Sequence, residues 1–132
     1  MIKTHFILYV KDQGQSTAFY SQVLGCQPSL NVPGMTEFPI SELCILGLMP
    51  VSGIQRLLGD RLAVPTPGSA VARCEVYLLV EKALDFHLRA LEAGAIELSA
   101  LEPRDWGHRA AYSLDPDGHV LAFAELISPE LK

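Results

Sequence analysis

The chain has 132 residues, 49% of them apolar, and a formal net charge of −5. That length and apolar share supply one domain with a sizeable core and exclude a disordered chain. The ten Lys and Arg residues are scattered, so no phosphate-tracking stripe exists and nucleic acid is excluded as a partner. Cys26, Cys44 and Cys74 are far apart and form no CxxC, which excludes a disulfide framework or zinc knuckle and predicts three small buried apolar groups. The opening MIKTHFILYV is too short for a signal peptide's apolar region or a membrane span, which predicts a cytoplasmic protein without membrane contact.

Residues 4–10 are apolar and β-branched apart from His5, and residues 11–15 end the run, so a strand is predicted. A helix follows, capped at Ser16 or its neighbour, with Ala18, Phe19, Val23 and Leu24 near helical spacing and Gly25 at its end. Short extended pieces at 28–30, 35–39 and 42–49 are separated by Asn31, Pro33, Gly34 and Pro39, and residues 52–58 suit a short helix. Residues 59–72 carry Pro65, Pro67 and Gly68 and read as a linker between halves spanning 1–58 and 73–128. Residues 74–80 form another apolar strand. Leu84, Leu88, Leu91 and Ala95 then mark a helix ending near Gly94, and residues 96–101 are extended. Asp115-Pro116-Asp117-Gly118 is a turn sequence, because Pro presets φ, Asp bonds its own backbone and Gly tolerates positive φ. Residues 109–114 and 119–126 on either side make it a hairpin.

The halves repeat. Residues 5–10 align with 75–80, Gly25 with Gly94, and 46–49 with 121–124, in the same order of elements. Two β-α-β-β-β modules that cannot each bury both sheet faces predict an α+β fold, a curved eight-stranded mixed sheet around a cavity.

The duplicated plan, the opening HFILYVKD, the AFYSQVLG helix and the closing SLDPDGHVLAFAE resemble the vicinal oxygen chelate superfamily across essentially the whole chain. That superfamily includes glyoxalase I, extradiol dioxygenases, fosfomycin-resistance enzymes and bleomycin-resistance binding proteins. The resemblance implies a homodimer and, in the enzymes, one divalent ion held near the start of the first strand and on the last strand of each module. The matching positions here are His5, Gly47, Glu75 and Ala122. Only His5 and Glu75 can ligate, which is thin for a selective Ni, Zn, Mn or Fe site. Glu42, Glu125 and His119 stand at odd offsets from Gly47 and Ala122 and should face the other way along a regular strand.

Just ahead of the hairpin, Trp106, His108 and Arg109 gather around Gly107. Trp106 and Arg109 are the candidate ligand platform, Phe38, Leu48 and Tyr77 the candidate apolar lining, and His5 and Glu75 the candidate polar groups. Each has a plainer role: Phe38 and Leu48 as core, Trp106 as a rim or core aromatic, and His5 as a partner in a hydrogen bond across the sheet, or with Glu75 in an ion pair. The favoured function is metal-free sequestration of an aromatic or cationic small molecule, to which the chain's acidity would draw a cation. The alternatives are a metal-dependent lyase or isomerase of glyoxalase type, using His5 and Glu75, and a regulatory module with a vestigial pocket.

Overall fold

Side-chain alternation along each strand decides what each half buries. The computed structural model describes residues 1–61, 72 and 74–128, and the chain divides into two units, Met1–Ser69 and Ala70–Lys132. The first contains β1 (Thr4–Val10), α1 (Gln13–Leu24), β2 (Leu30–Val32), β3 (Met35–Ser41), β4 (Cys44–Pro50) and α2 (Val51–Leu58), followed by a single 3-10 turn at Gly59–Arg61. Its strands lie in the order β1-β4-β3-β2, with β1 parallel to β4. Leu8 and Val10 of β1, Leu46 and Leu48 of β4 and Thr36 and Phe38 of β3 are buried, as are Phe19, Tyr20 and Val23 of α1. A bond of 2.9 Å between the hydroxyls of Thr17 and Thr36 ties this face of the sheet to α1.

Helix α1 begins earlier than the cap expected at Ser16. Asp12 is the N-cap, its carboxylate accepting from the Gln15 amide at 3.0 Å, and Ser16 lies in the first turn. A carboxylate at this place satisfies an otherwise orphaned N–H and suits the positive end of the helix dipole, together worth about 1 kcal/mol. Strand β2 starts at Leu30, two residues after the extended piece expected from Pro28, because its partners are set by pairing with β3.

The second unit contains β5 (Glu75–Leu79), α3 (Ala83–Glu92), β6 (Ile96–Pro103), β7 (His108–Leu114) and β8 (Val120–Leu126). Its order, β5-β8-β7-β6 with β5 parallel to β8, repeats that of the first sheet. The fold is therefore α+β, built from two β-α-β-β-β modules, as the internal repeat predicts. Phe123, fully buried on β8, stacks on Phe86 of α3 with ring centres 5.1 Å apart. Nothing on Lys82 caps α3. Glu125 reaches from β8 to accept from the Ala83 amide at 3.1 Å instead. Buried His87 of α3 meets Glu97 of β6 at 2.8 Å, which pins the helix to the edge strand.

The cysteines correct the sequence reading. Cys26 and Cys74 are exposed and Cys44 is half-buried, because all three stand at the ends of elements, where the chain reaches the surface. Of the expected linker, residues 59–61 form the 3-10 turn and residues 62–71 lie outside the described residues. No helix among the described residues is long and apolar enough to cross a membrane.

Candidate functional site

On the face of the second sheet turned away from α3, register brings Glu75, Tyr77 and Leu79 of β5 beside Val120, Ala122 and Ala124 of β8, and these beside Leu114, Tyr112 and Ala110 of β7. Ala110, Ala122 and Ala124 are small and fully buried. Across the low surface that they leave, Tyr77 of β5 reaches His108 at the start of β7, its hydroxyl 2.7 Å from His108 Nδ1 and its ring stacked on the imidazole at 5.8 Å. The turn between β6 and β7, closed by the Arg104 amide donating to the His108 carbonyl, has Gly107 at φ 86°. That left-handed conformation favours glycine. It directs Trp106 back so that its indole N–H donates to the Tyr77 hydroxyl at 3.0 Å, although the side chain stays 56% exposed.

Further along the same face the Arg104 guanidinium lies 5.2 Å from the centre of the Tyr112 ring and bonds the carbonyl of Ala110 and the hydroxyl of Ser99. Removal from water, then the charges of Glu75 and Tyr77, raise the Tyr112 phenol above its ordinary value, and Arg104 opposes them. The arrangement is a row of aromatic groups, two of them with polar tips already oriented, beside Arg104, which also meets the Glu102 carboxylate at 3.6 Å. It can stack against a planar ligand and offer it hydrogen bonds.

The first sheet shows the same construction on its face away from α1. There His5 of β1, in register with Ile45, and Glu37 of β3, in register with Gly47, approach to 3.4 Å across β4. His5 thus has its carboxylate neighbour in Glu37 of its own unit, and Glu75 belongs to the other unit.

Of the positions that matched the metal ligands of the resembled enzymes, Gly47 and Ala122 carry no donor atom. A Cβ on Gly47 would meet Ile7 at 3.1 Å and the Met35 sulfur at 3.4 Å, so that space is already taken by apolar groups. Ala122 is buried in the shadow of its neighbours. Two of the four positions have no donor atom, and His5 with Glu75 falls short of the three or four protein groups that a selective site uses. Of the odd-offset residues, Glu125 on β8 caps α3 from the opposite face as alternation requires, whereas Glu42 lies in the turn before β4 and His119 just before β8, where strand alternation does not apply.

Among the described residues, Asp115, Asp117 and His119 are the group whose ligand atoms lie close enough to share an ion, within 4.8 Å. Asp115 accepts from the amides of Asp117 and His119, each at 2.9 Å, and from the His119 ring at 2.8 Å, which locks the turn. Burial alone would lower the His119 pKa, but the hydrogen bond and charge of Asp115, with Asp117 behind it, outweigh it and raise the pKa above 6.5. A raised histidine pKa contributes stability that is full below its unfolded value and is lost as pH rises through the folded value. The melting temperature of the protein should therefore fall between pH 6 and 8 by more than that of His119→Gln, measured by calorimetry. Parallel curves for the two proteins would show that the pair contributes nothing.

Of the residues singled out from the sequence, Tyr77 and Trp106 come together and Glu75 shares their face. Phe38 and Leu48 are fully buried on the α1 side of the first sheet. Arg109 is set on the opposite face of β7 from His108, beside Glu125, because neighbouring strand residues alternate. Arg104 takes the place of the cation instead. The sequence reading missed Arg104, Tyr112 and the bond from His108 to Tyr77. The only sequence signal for that bond was two small alanines on the central strand, which let a side chain cross it.

Two β-α-β-β-β modules, each a four-stranded mixed sheet with a helix on one face, define a duplicated α+β class of fold. The family model described as the Glyoxalase/Bleomycin resistance protein/Dioxygenase superfamily matches residues 4–123, and the chain belongs to that family. Similar solved structures include a glyoxalase-related enzyme from Fulvimarina pelagi, 22% identical with a TM-score of 0.77, covering 92% of this chain and 86% of that one. A glyoxalase/bleomycin resistance protein/dioxygenase family enzyme from Burkholderia phytofirmans PsJN is 18% identical with a TM-score of 0.80, covering 93% and 97%. A third, a glyoxalase/bleomycin resistance protein/dioxygenase from Nocardioides, is 21% identical with a TM-score of 0.74, covering 98% and 85%. At these identities the likeness is one of fold. No curated protein matches the sequence at a significant level.

Proposed function

We propose that this protein binds a small aromatic or cationic molecule without a metal and so lowers its free concentration by mass action. The observation that carries the reading is the exposed Trp106 held by its N–H to Tyr77, which in turn meets His108. An aromatic side chain fixed by a hydrogen bond loses little conformational freedom on binding, and its uncovered face is ready for a planar ligand. The resemblance to bleomycin-resistance proteins adds the expectation that the protein acts as a homodimer in the cytoplasm, which sedimentation and fractionation would test. Quenching of the fluorescence of Trp106, the only tryptophan, by a panel of planar aromatic compounds tests the binding reading. If none of them quenches it, or if quenching never saturates, the reading fails.

A second reading, a divalent-metal-dependent lyase or isomerase of glyoxalase type, is favoured by one observation: His5, at a matching ligand position, has the Glu37 carboxylate 3.4 Å away. Elemental analysis of protein purified without chelator or affinity tag, followed by Ni, Zn, Mn and Fe titration, separates the two. On the binding reading no ion is held at micromolar concentration and His5→Ala changes nothing. A stoichiometric ion lost in His5→Ala would establish the metal site.

A further inference from the structure

Hydrogen-bond donors and acceptors in the relay from Trp106 to His108 have a single arrangement that satisfies all of them. The Trp106 Nε1–H can only donate, so the Tyr77 oxygen accepts from it. Tyr77 has one proton. If His108 carried its proton on Nδ1 it too would donate to that oxygen, and the phenol proton would need an acceptor that no described residue supplies. If Tyr77 donates to Nδ1, every atom of the relay is satisfied, and the imidazole proton is on Nε2. His108 Nε2 has no partner among the described residues and the ring is half-buried. Protonation of the ring adds a proton at Nδ1 and leaves Nε2 a donor, so the outward atom donates in either charge state.

We infer that Trp106 and Tyr77 hold His108 as the Nε2–H tautomer, and that this donor selects planar aromatic ligands carrying an oxygen acceptor, such as a carbonyl, phenolate or carboxylate. The inference rests on the binding reading above and narrows it: an ammonium group has only donors and would face a donor at this point. The nearby charges oppose one another, since the Arg104 guanidinium meets the Glu102 carboxylate at 3.6 Å. The Arg104 guanidinium bonds the carbonyl of Ala110, which stands between His108 and Tyr112 on this face. Glu75, a further acidic group on this face, is in register with Val120, whereas His108 is in register with Leu126, six residues or about 20 Å further along β8. Alone, the acidity of the whole chain would favour a cation. Near the relay the fixed donor decides otherwise, because a contact hydrogen bond outweighs a screened long-range field.

Two measurements on the full chain test this. Long-range proton–nitrogen NMR of histidine-labelled protein, with the His108 signals assigned by their loss in His108→Gln, should show protonated Nε2 and a hydrogen-bonded, unprotonated Nδ1 near pH 8. A proton on Nδ1 would overturn the tautomer and with it the inference. Titrations with 1-naphthoate and 1-naphthylmethylamine, followed by Trp106 quenching and calorimetry, should show the carboxylate binding at least tenfold tighter. In His108→Phe, which keeps an aromatic ring without a donor, that preference should shrink toward unity. Equal or tighter binding of the amine to the unaltered protein would overturn the ligand class while leaving the binding reading standing. Absence of binding by both compounds would remove the binding reading and the inference together.

Discussion

Trp106→Ala is expected to weaken binding of a planar aromatic ligand by tenfold or more, about 1.5 kcal/mol, without lowering thermal stability noticeably. The two halves of this expectation come from one fact: the indole is more than half exposed, so little packing is lost with it, yet its open face is what a ligand would cover. Removal also deletes the donor to the Tyr77 hydroxyl, which frees that ring to move and adds an ordering cost to binding. Because the variant has no tryptophan left, affinity is read by calorimetry. Unchanged affinity would place the ligand elsewhere on the molecule. Loss of affinity together with a large drop in melting temperature would instead make Trp106 a structural residue.

Phe123→Ala should have the largest effect on stability, about 3–5 kcal/mol, or on the order of 10–20 °C in melting temperature for a chain of this size. Phe123 is fully buried on the central strand of its sheet and stacks on Phe86, so truncation removes the ring's transfer free energy and leaves a cavity between β8 and α3. Neighbouring Leu121 is equally buried and cannot collapse into the gap without leaving its own place. Calorimetry or denaturant unfolding checks this, and a loss under about 1 kcal/mol would mean that the helix is held by other contacts, such as the pair of His87 and Glu97. Phe86→Leu, which keeps most of the volume, should cost much less.

The repeat was legible because it is carried by local signals. The runs at 4–10 and 74–80 are apolar and β-branched, glycines stand near the ends of both helices, and Asp115-Pro116-Asp117-Gly118 admits little but a turn. These preferences act within a few residues, and the structure reproduces β1 at the expected residues, with β7 one residue longer. The start of α1 was placed too late because Asp12 and Ser16 are both good caps, and only the chain geometry after β1 shows which one meets a free amide. The cysteines were misread because composition reports a preference for burial, whereas position at element ends decides it.

The site was legible in part. Trp106 and Tyr77 were named from their sequence surroundings, but 29 residues separate them along the chain, and nothing local predicts that they touch. Arg109 was named because it gathers with Trp106 and His108 around Gly107, yet adjacency on a strand places its side chain and that of His108 on opposite faces.

The sequence by itself determined the composition of two modules, the turns that join their strands and the absence of donor side chains at positions 47 and 122, since residue type and local periodicity carry that information. Only the tertiary structure decided which side chains meet across the sheets. Strand order places β8 between β5 and β7, and β4 between β1 and β3, so that side chains from the two outer strands can meet across the central one. Those meetings, Tyr77 with His108 and His5 with Glu37, depend on register between strands that are remote in the chain, and register is a property of the folded sheet.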